Sequence, residues 1–227
     1  MKQLTKKQMA VLLKNTVVKD KQGAPLKVYR GEHSPLDTSD TGVKTLLGSL
    51  SFGDAQTAST YACEPNNSTH TADSPRIYGA YLIMNNPFFN DGGDPFIDFS
   101  HVEARLGKQL ADHFFLKHAA SAENTNNWQE EIDPDNEWGS IAEFHKHHPE
   151  RMNELYMELY YLLDDPEFVN ILKEKGFDGA IYSGSGANGG EDEFRVFDKT
   201  SIIYAISREI EPKPRRELSL EQGGLAA

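Results

Sequence analysis

A chain of 227 residues with 38% hydrophobic and 10% aromatic side chains has the apolar mass for a real core, as one large domain or one domain carrying an insertion. Its formal net charge of −12 disfavours broad binding to phosphate backbones. The lone Cys63 excludes an internal disulfide and a cysteine zinc site, and no stretch approaches the roughly 20 apolar residues that span a bilayer.

In chain order, Thr5-Lys-Lys-Gln8 has the pattern of a capping box, and an amphipathic helix is expected to about residue 18. That helix does not read as a signal peptide. With one cysteine a reducing, cytoplasmic setting is expected, and delivery into a host cell by a route without a cleaved signal stays open. Gly23-Ala-Pro25 marks a turn, residues 26–30 a strand ending at Gly31, and Pro35, Asp37, Ser39, Asp40 and Gly42 a polar loop. Residues 46–52 read as a second strand and 54–63 as a short helix capped by Asp54. A polar loop over 64–76 leads to a buried strand over 77–84, closed by Asn85-Asn86-Pro87. Residues 88–100, rich in Gly, Asp and Pro, read as irregular.

From residue 101 the pattern becomes helical, with segments near 101–120, 139–146, 150–163 and 166–175; about 101–165 reads as a helical insertion. A break at 176–179, a strand at 180–182, a glycine-rich loop over 183–190 and strands near 191–197 and 201–206 follow. The polar tail 211–227 is expected to be mobile. Several short strands, one helical block and no βαβ rhythm make the fold class α+β, with a single domain over residues 1–210.

Three separated spots carry chemistry. Val28-Tyr29-Arg30-Gly31 ends a strand; Gly48-Ser49-Leu50-Ser51-Phe52 precedes a helix bearing Tyr61; and the glycine loop runs into Glu191-Asp192-Glu193. Alone, each has a bland reading: a surface arginine, a core tyrosine, a solvated acidic turn. In this order they resemble the arginine–serine–glutamate class of mono-ADP-ribosyltransferases, in the style of single-domain effector or toxin enzymes of bacteria and their phages. The segments KVYRG, ASTYA, KGFDGAIY and FRVFDKTSIIYA carry the likeness, over roughly residues 26–84 and 168–206.

The resemblance implies two small antiparallel sheets around an NAD cleft, with the helical insertion alongside. It implies NAD as the substrate, no metal, and a target protein bearing an acceptor arginine as the partner, with neither nucleic acid nor membrane involved. Arg30 would offer its charged donor fork to the pyrophosphate, the Gly31 backbone would bond the nicotinamide carboxamide, and Tyr61 would stack on the nicotinamide ring. Glu193 would bond the ribose 2′-hydroxyl and stabilise positive charge as the glycosidic bond breaks. A serine would orient it; the family's Ser-Thr-Ser is here Ser49-Leu-Ser51, leaving both as candidates with Ser51 preferred. Glu191, on the same strand face as Glu193, would polarise the acceptor guanidinium, and residues 183–190 would touch the target. An NAD glycohydrolase and a non-catalytic binding or inhibitor protein on the same fold are the alternatives.

Other features read structurally. His145, His147 and His148, with His113 and His118, have poor metal-ligand spacing and read as a solvated helix end. Leu155, Tyr156, Leu159, Tyr160 and Leu163 read as a helix-packing stripe.

Overall fold

The computed structural model describes residues 4–33, 48–64, 74–184 and 190–205. The polar loop around Pro35–Gly42, most of the 64–76 loop, the centre of the glycine-rich loop and the C-terminal tail lie outside the described residues. In chain order the elements are α1 (Lys6–Leu12), β1 (Val28–Glu32), β2 (Leu50–Phe52), α2 (Ala55–Cys63), β3 (Arg76–Leu82), β4 (Pro87–Asp91), β5 (Phe96–Asp98), α3 (Phe99–Leu106), α4 (Lys108–Lys117), α5 (Ala119–Glu123), α6 (Ile141–His147), β6 (Tyr156–Glu158), α7 (Leu159–Asp164), α8 (Pro166–Glu174), β7 (Gly179–Ser183), β8 (Asp192–Val196) and β9 (Ile202–Tyr204). A π-helical turn at Asn127–Ile132 and 3-10 turns at Arg151–Glu154 and Lys199–Ser201 complete the set.

The class is α+β with small separate sheets. One sheet is antiparallel, in the order β1-β3-β9; a second runs β2-β8-β7-β4; β5 and β6 form a two-stranded ladder. The expectation of two antiparallel sheets is therefore corrected twice: β4 lies parallel to β7, and a third sheet exists. The first two sheets touch at Tyr29 and Gly53, which exchange both main-chain hydrogen bonds at 2.8 and 2.9 Å. Val28, Phe52, Leu82, Ile181, Phe194 and Val196 are packed into one core cluster drawn from both sheets. Burying such side chains stabilises by about 1.5–3 kcal/mol each.

The Thr5 capping box forms as expected, with both reciprocal bonds present. Helix α1 nevertheless stops at Leu12, well short of residue 18, because the chain turns to join the first sheet. Val17 donates to the main-chain oxygen of Met84 at 2.7 Å, and Val18 is buried.

The helical block differs most from expectation. Residues 101–120 are broken at Gly107, whose φ of +94° lies in the left-handed region, so α3 and α4 are separate helices. Residues 88–100 are not irregular but contain β4 and β5, and residues 150–163 are not one helix. Leu155, Met157 and Leu159 are buried while Tyr156 and Glu158 are partly open, an alternation of period two that forms β6 opposite β5. The block, expected as a helical insertion, packs into the core. Phe88 and Tyr182 of the sheet share one core cluster with Phe114, Phe144, Leu163 and Phe168 of the helices. Residues 166–175 form α8 as expected, with Pro166 in the first turn and Asp165 as N-cap.

The histidines and tryptophans fall into this packing. His113 and His118 meet the carboxylates of Glu167 and Asp165, and His147 and His148 lie against Trp138. Among the described residues no group of three or more His, Cys, Asp or Glu side chains could hold a metal ion. None of the helices described is long and apolar enough to cross a membrane.

Candidate active site

Strand β2 alternates, burying Leu50 and Phe52 in the core and turning Ser51 the other way. On the paired strand β8, Phe194 and Val196 enter the core, so Glu193 and Arg195 share the opposite face with Ser51. The Ser51 hydroxyl donates to Oε1 of Glu193 at 2.7 Å, joining residues 142 positions apart. Nε of Arg195 donates to the same oxygen at 2.5 Å.

Arg195 is buried, and its other contacts come from the helical block. Nη1 donates to Oδ1 of Asp164, the last residue of α7, at 2.7 Å, and to the Ser49 hydroxyl at 3.3 Å. Ser49, only 3% exposed, in turn donates to the main-chain oxygen of Leu163 at 2.8 Å. Ser51 bonds Glu193, whereas Ser49, two residues earlier, bonds Arg195 and the Leu163 carbonyl of α7, a division set by position along the strand and its register. Ser49, expected to bind the cofactor, is buried with its hydroxyl engaged by these two partners.

Burial alone pushes the Glu193 carboxyl up, but the Arg195 cation and the Ser51 hydrogen bond outweigh it and hold the group below the ordinary carboxylate range. It is a carboxylate at neutral pH. Its contribution to stability is present above the ordinary carboxylate pKa and is lost as pH falls through the lowered folded value. Arg195 is itself held in its charged form by Glu193 and Asp164 despite burial that opposes it. Tyr182, opposite Glu193 on β7, is almost fully buried, and burial drives its phenol well above the usual range. Its oxygen is close enough to Glu193 and Arg195 to feel both charges, but among the described residues no partner meets it in hydrogen-bond geometry.

Arg30 approaches from the other sheet. Its Nη1 donates to the main-chain oxygen of Ser51 at 3.0 Å, and its Nε pairs with Glu32. Ser51 therefore touches Arg30 through its backbone and Glu193 through its side chain. Gly31 follows on β1, buried against α2, where an added Cβ would lie 2.0 Å from the Ala58 carbonyl oxygen. Because Tyr29 directs its N–H and C=O to Gly53, strand alternation turns those of Gly31 to the same edge, away from β3. Tyr61 on α2 is 40% exposed and stacks on His33 with ring centroids 4.8 Å apart.

Glu191 departs from expectation: it lies one residue before β8, not on it, and is exposed. Its main-chain oxygen accepts from Gly184 at 2.8 Å, tying together the two ends of the glycine-rich loop. Gly184 also lies directly over Glu193, since a Cβ there would be 3.0 Å from Oε2. A cleft of about 300 Å³ runs past Tyr29, Gly53 and Asp54 to Glu191 and Asp192. Glu193 does not line it, pointing instead to the other face of β8.

Arg195, Asp164 and Tyr182 escaped the sequence reading. Arg195 was within reach, because Glu193-Phe-Arg195 continues the same period-two alternation. Asp164 gave no such signal. Comparison with models of known protein families, with curated proteins and with solved structures gives no match to this chain.

Proposed function

We propose that this site belongs to a mono-ADP-ribosyltransferase, with an ADP-ribosyltransferase-like arrangement of its two larger sheets, that cleaves NAD+ and transfers ADP-ribose to an arginine of a target protein. The observation that carries the reading is the meeting of Arg30 and Glu193 at Ser51. A permanently charged donor fork and an ionised, oriented carboxylate then stand on either side of one serine, suited to the phosphates and the ribose of a dinucleotide.

In this reading Glu193 accepts a hydrogen bond from the ribose 2′-hydroxyl and stabilises the positive charge that grows on the sugar. The bond from ribose C1′ to nicotinamide breaks, and its electron pair leaves with nicotinamide, which departs as a neutral base. A guanidinium nitrogen of the acceptor bonds to C1′ and gives up one proton. Glu191, exposed at the mouth of β8, takes that proton. No general acid is needed for the leaving group, in keeping with a carboxylate held ionised.

The test is incubation with tagged NAD+ and a lysate, with mass spectrometry of the labelled peptide and a parallel assay of free nicotinamide. Glu191→Gln is expected to keep near-normal nicotinamide release while losing arginine labelling by about 10²-fold or more. Full labelling by that variant would remove the arginine assignment, and nicotinamide release without labelled protein would identify a glycohydrolase.

Ser51→Ala removes one hydrogen bond to an ionised group, a contribution of about 1.5–3 kcal/mol. Nicotinamide release should fall about 10- to 100-fold, with the acid limb of its pH profile displaced upward. An unchanged profile would show that Ser51 does not act on Glu193.

A further inference from the structure

Beneath Glu193 lies a buried ion set that the reaction as proposed does not use. Arg195 is 7% exposed and spans two carboxylates, Glu193 on its own strand and Asp164 at the end of α7. A buried guanidinium with one partner is costly, and a second partner reaching in from another element holds it in place. Here that element is the helical block, and the grip is doubled by Ser49, whose hydroxyl joins Arg195 to the Leu163 carbonyl. Gly48 makes room for the same block, since an added Cβ would fall 2.7 Å from the Asp165 main-chain oxygen. Only one of the two oxygens of Glu193 is engaged by Ser51 and Arg195, so Oε2 is left facing Gly184 at the loop.

We propose that Arg195, gripped from behind by Asp164, is the positioning residue that aims Glu193 and supplies the countercharge for its carboxylate. The role as aimed at a ribose hydroxyl rests on the reading under Proposed function; the pairing itself does not. The helical block is then part of the catalytic apparatus: α7 sets the rotamer of a strand residue that sets the rotamer of the catalytic one. The groups that face Glu193 are Arg195 on β8, Tyr182 on β7, Ser51 on β2 and Gly184 at the loop, with Asp164 one step behind through Arg195. Of these, Arg195 is the single cation. Its removal and the removal of Asp164 therefore act on Glu193 with opposite electrostatic sign, so a fall in kcat on removing Asp164, with the Glu193 midpoint not raised, reports lost aim and not lost charge.

The experiment uses the full chain with 13C-labelled glutamate carboxyls. The Glu193 resonance is assigned by its absence in Glu193→Gln and titrated by NMR in wild type, Arg195→Gln and Asp164→Asn, alongside kcat and KM for NAD+ across pH. Arg195→Gln is expected to raise the Glu193 midpoint by about one to three pH units. Asp164→Asn should leave the midpoint at or below that of wild type, because Arg195 loses its competing carboxylate. It should also lower kcat about tenfold, with KM nearly unchanged, through loss of aim. Midpoints that move the same way in both variants, or a midpoint unmoved by Arg195→Gln, would overturn the proposal. If Arg195→Gln fails to fold, Asp164→Asn decides: its carboxylate is partly exposed and the change is isosteric, and a raised midpoint with unchanged kcat sinks the idea. A wild-type protein that turns over no NAD+ would remove the functional reading alone, since the midpoints still test the pairing.

Discussion

Glu193→Gln is expected to reduce nicotinamide release from NAD+ by about 10²–10³-fold or more while leaving the protein folded. The amide is nearly isosteric and keeps an oxygen that can accept from Ser51, so the geometry at 2.7 Å is retained. What disappears is the negative charge. That charge is held in a buried place by Arg195 and Ser51, where a fixed anion acts on developing positive charge more strongly than it would in water. The loss should therefore fall on kcat and leave KM close to wild type, as for an interaction made chiefly in the transition state. Arg195 keeps Asp164 as its ion-pair partner, which is why the fold should survive. Nicotinamide release by chromatography, together with a thermal melt, checks both halves. A variant that melts like wild type and still releases nicotinamide at an undiminished rate would end the case for Glu193.

Gly31→Ala should be strongly destabilising, since among the described glycines an added Cβ comes nearest to another atom here. The new Cβ would lie 2.0 Å from the Ala58 carbonyl oxygen and 3.0 Å from the Ala62 main-chain nitrogen. Both neighbours are backbone of α2, so no flexible side chain can swing aside, and either α2 or β1 must move. The cost should reach or exceed about 3 kcal/mol, the upper end for overpacking. Displacing β1 also carries Arg30 away from Ser51, so NAD+ turnover should fall with stability. Gly23→Ala is the control: Gly23 has a φ of +81° and nothing within 4 Å of an added Cβ. It tests backbone strain alone, at about 1–2 kcal/mol. Urea unfolding of the two variants separates contact from conformation, and equal losses in both would show that β1 and α2 are not packed this tightly.

Where the structural signal is local, it was legible in the chain. Thr5 with Gln8, and Asp54, announce the starts of α1 and α2 because a cap needs only residues within three positions of it. The apolar run 77–84 announces β3. The spots around Arg30, Ser51 and Glu193 were legible as candidates, and β1, β2 and β8 bring these three together. The helical reading of 150–163 failed because tyrosines at 156 and 160 fill a 3.6-residue stripe, while the burial that decides the matter has period two at Leu155, Met157 and Leu159. Residues 88–100 failed for a different reason. β4 and β5 are short, and each is held by a distant partner, Gly179–Tyr182 for one and Tyr156–Glu158 for the other.

By itself, then, the sequence determined the α+β class, the caps at Thr5 and Asp54, and the principal strands, and it marked Arg30, Ser51 and Glu193 as candidates, since propensity, capping and side-chain chemistry are properties of a residue and its near neighbours. Only the tertiary structure decided which serine faces Glu193, that Arg195 lies beneath it, and that Asp164 reaches in from the helical block. Those outcomes depend on strand register and on ion pairs whose members lie far apart in the chain, and an electrostatic contact acquires its strength only once folding has removed both charges from water.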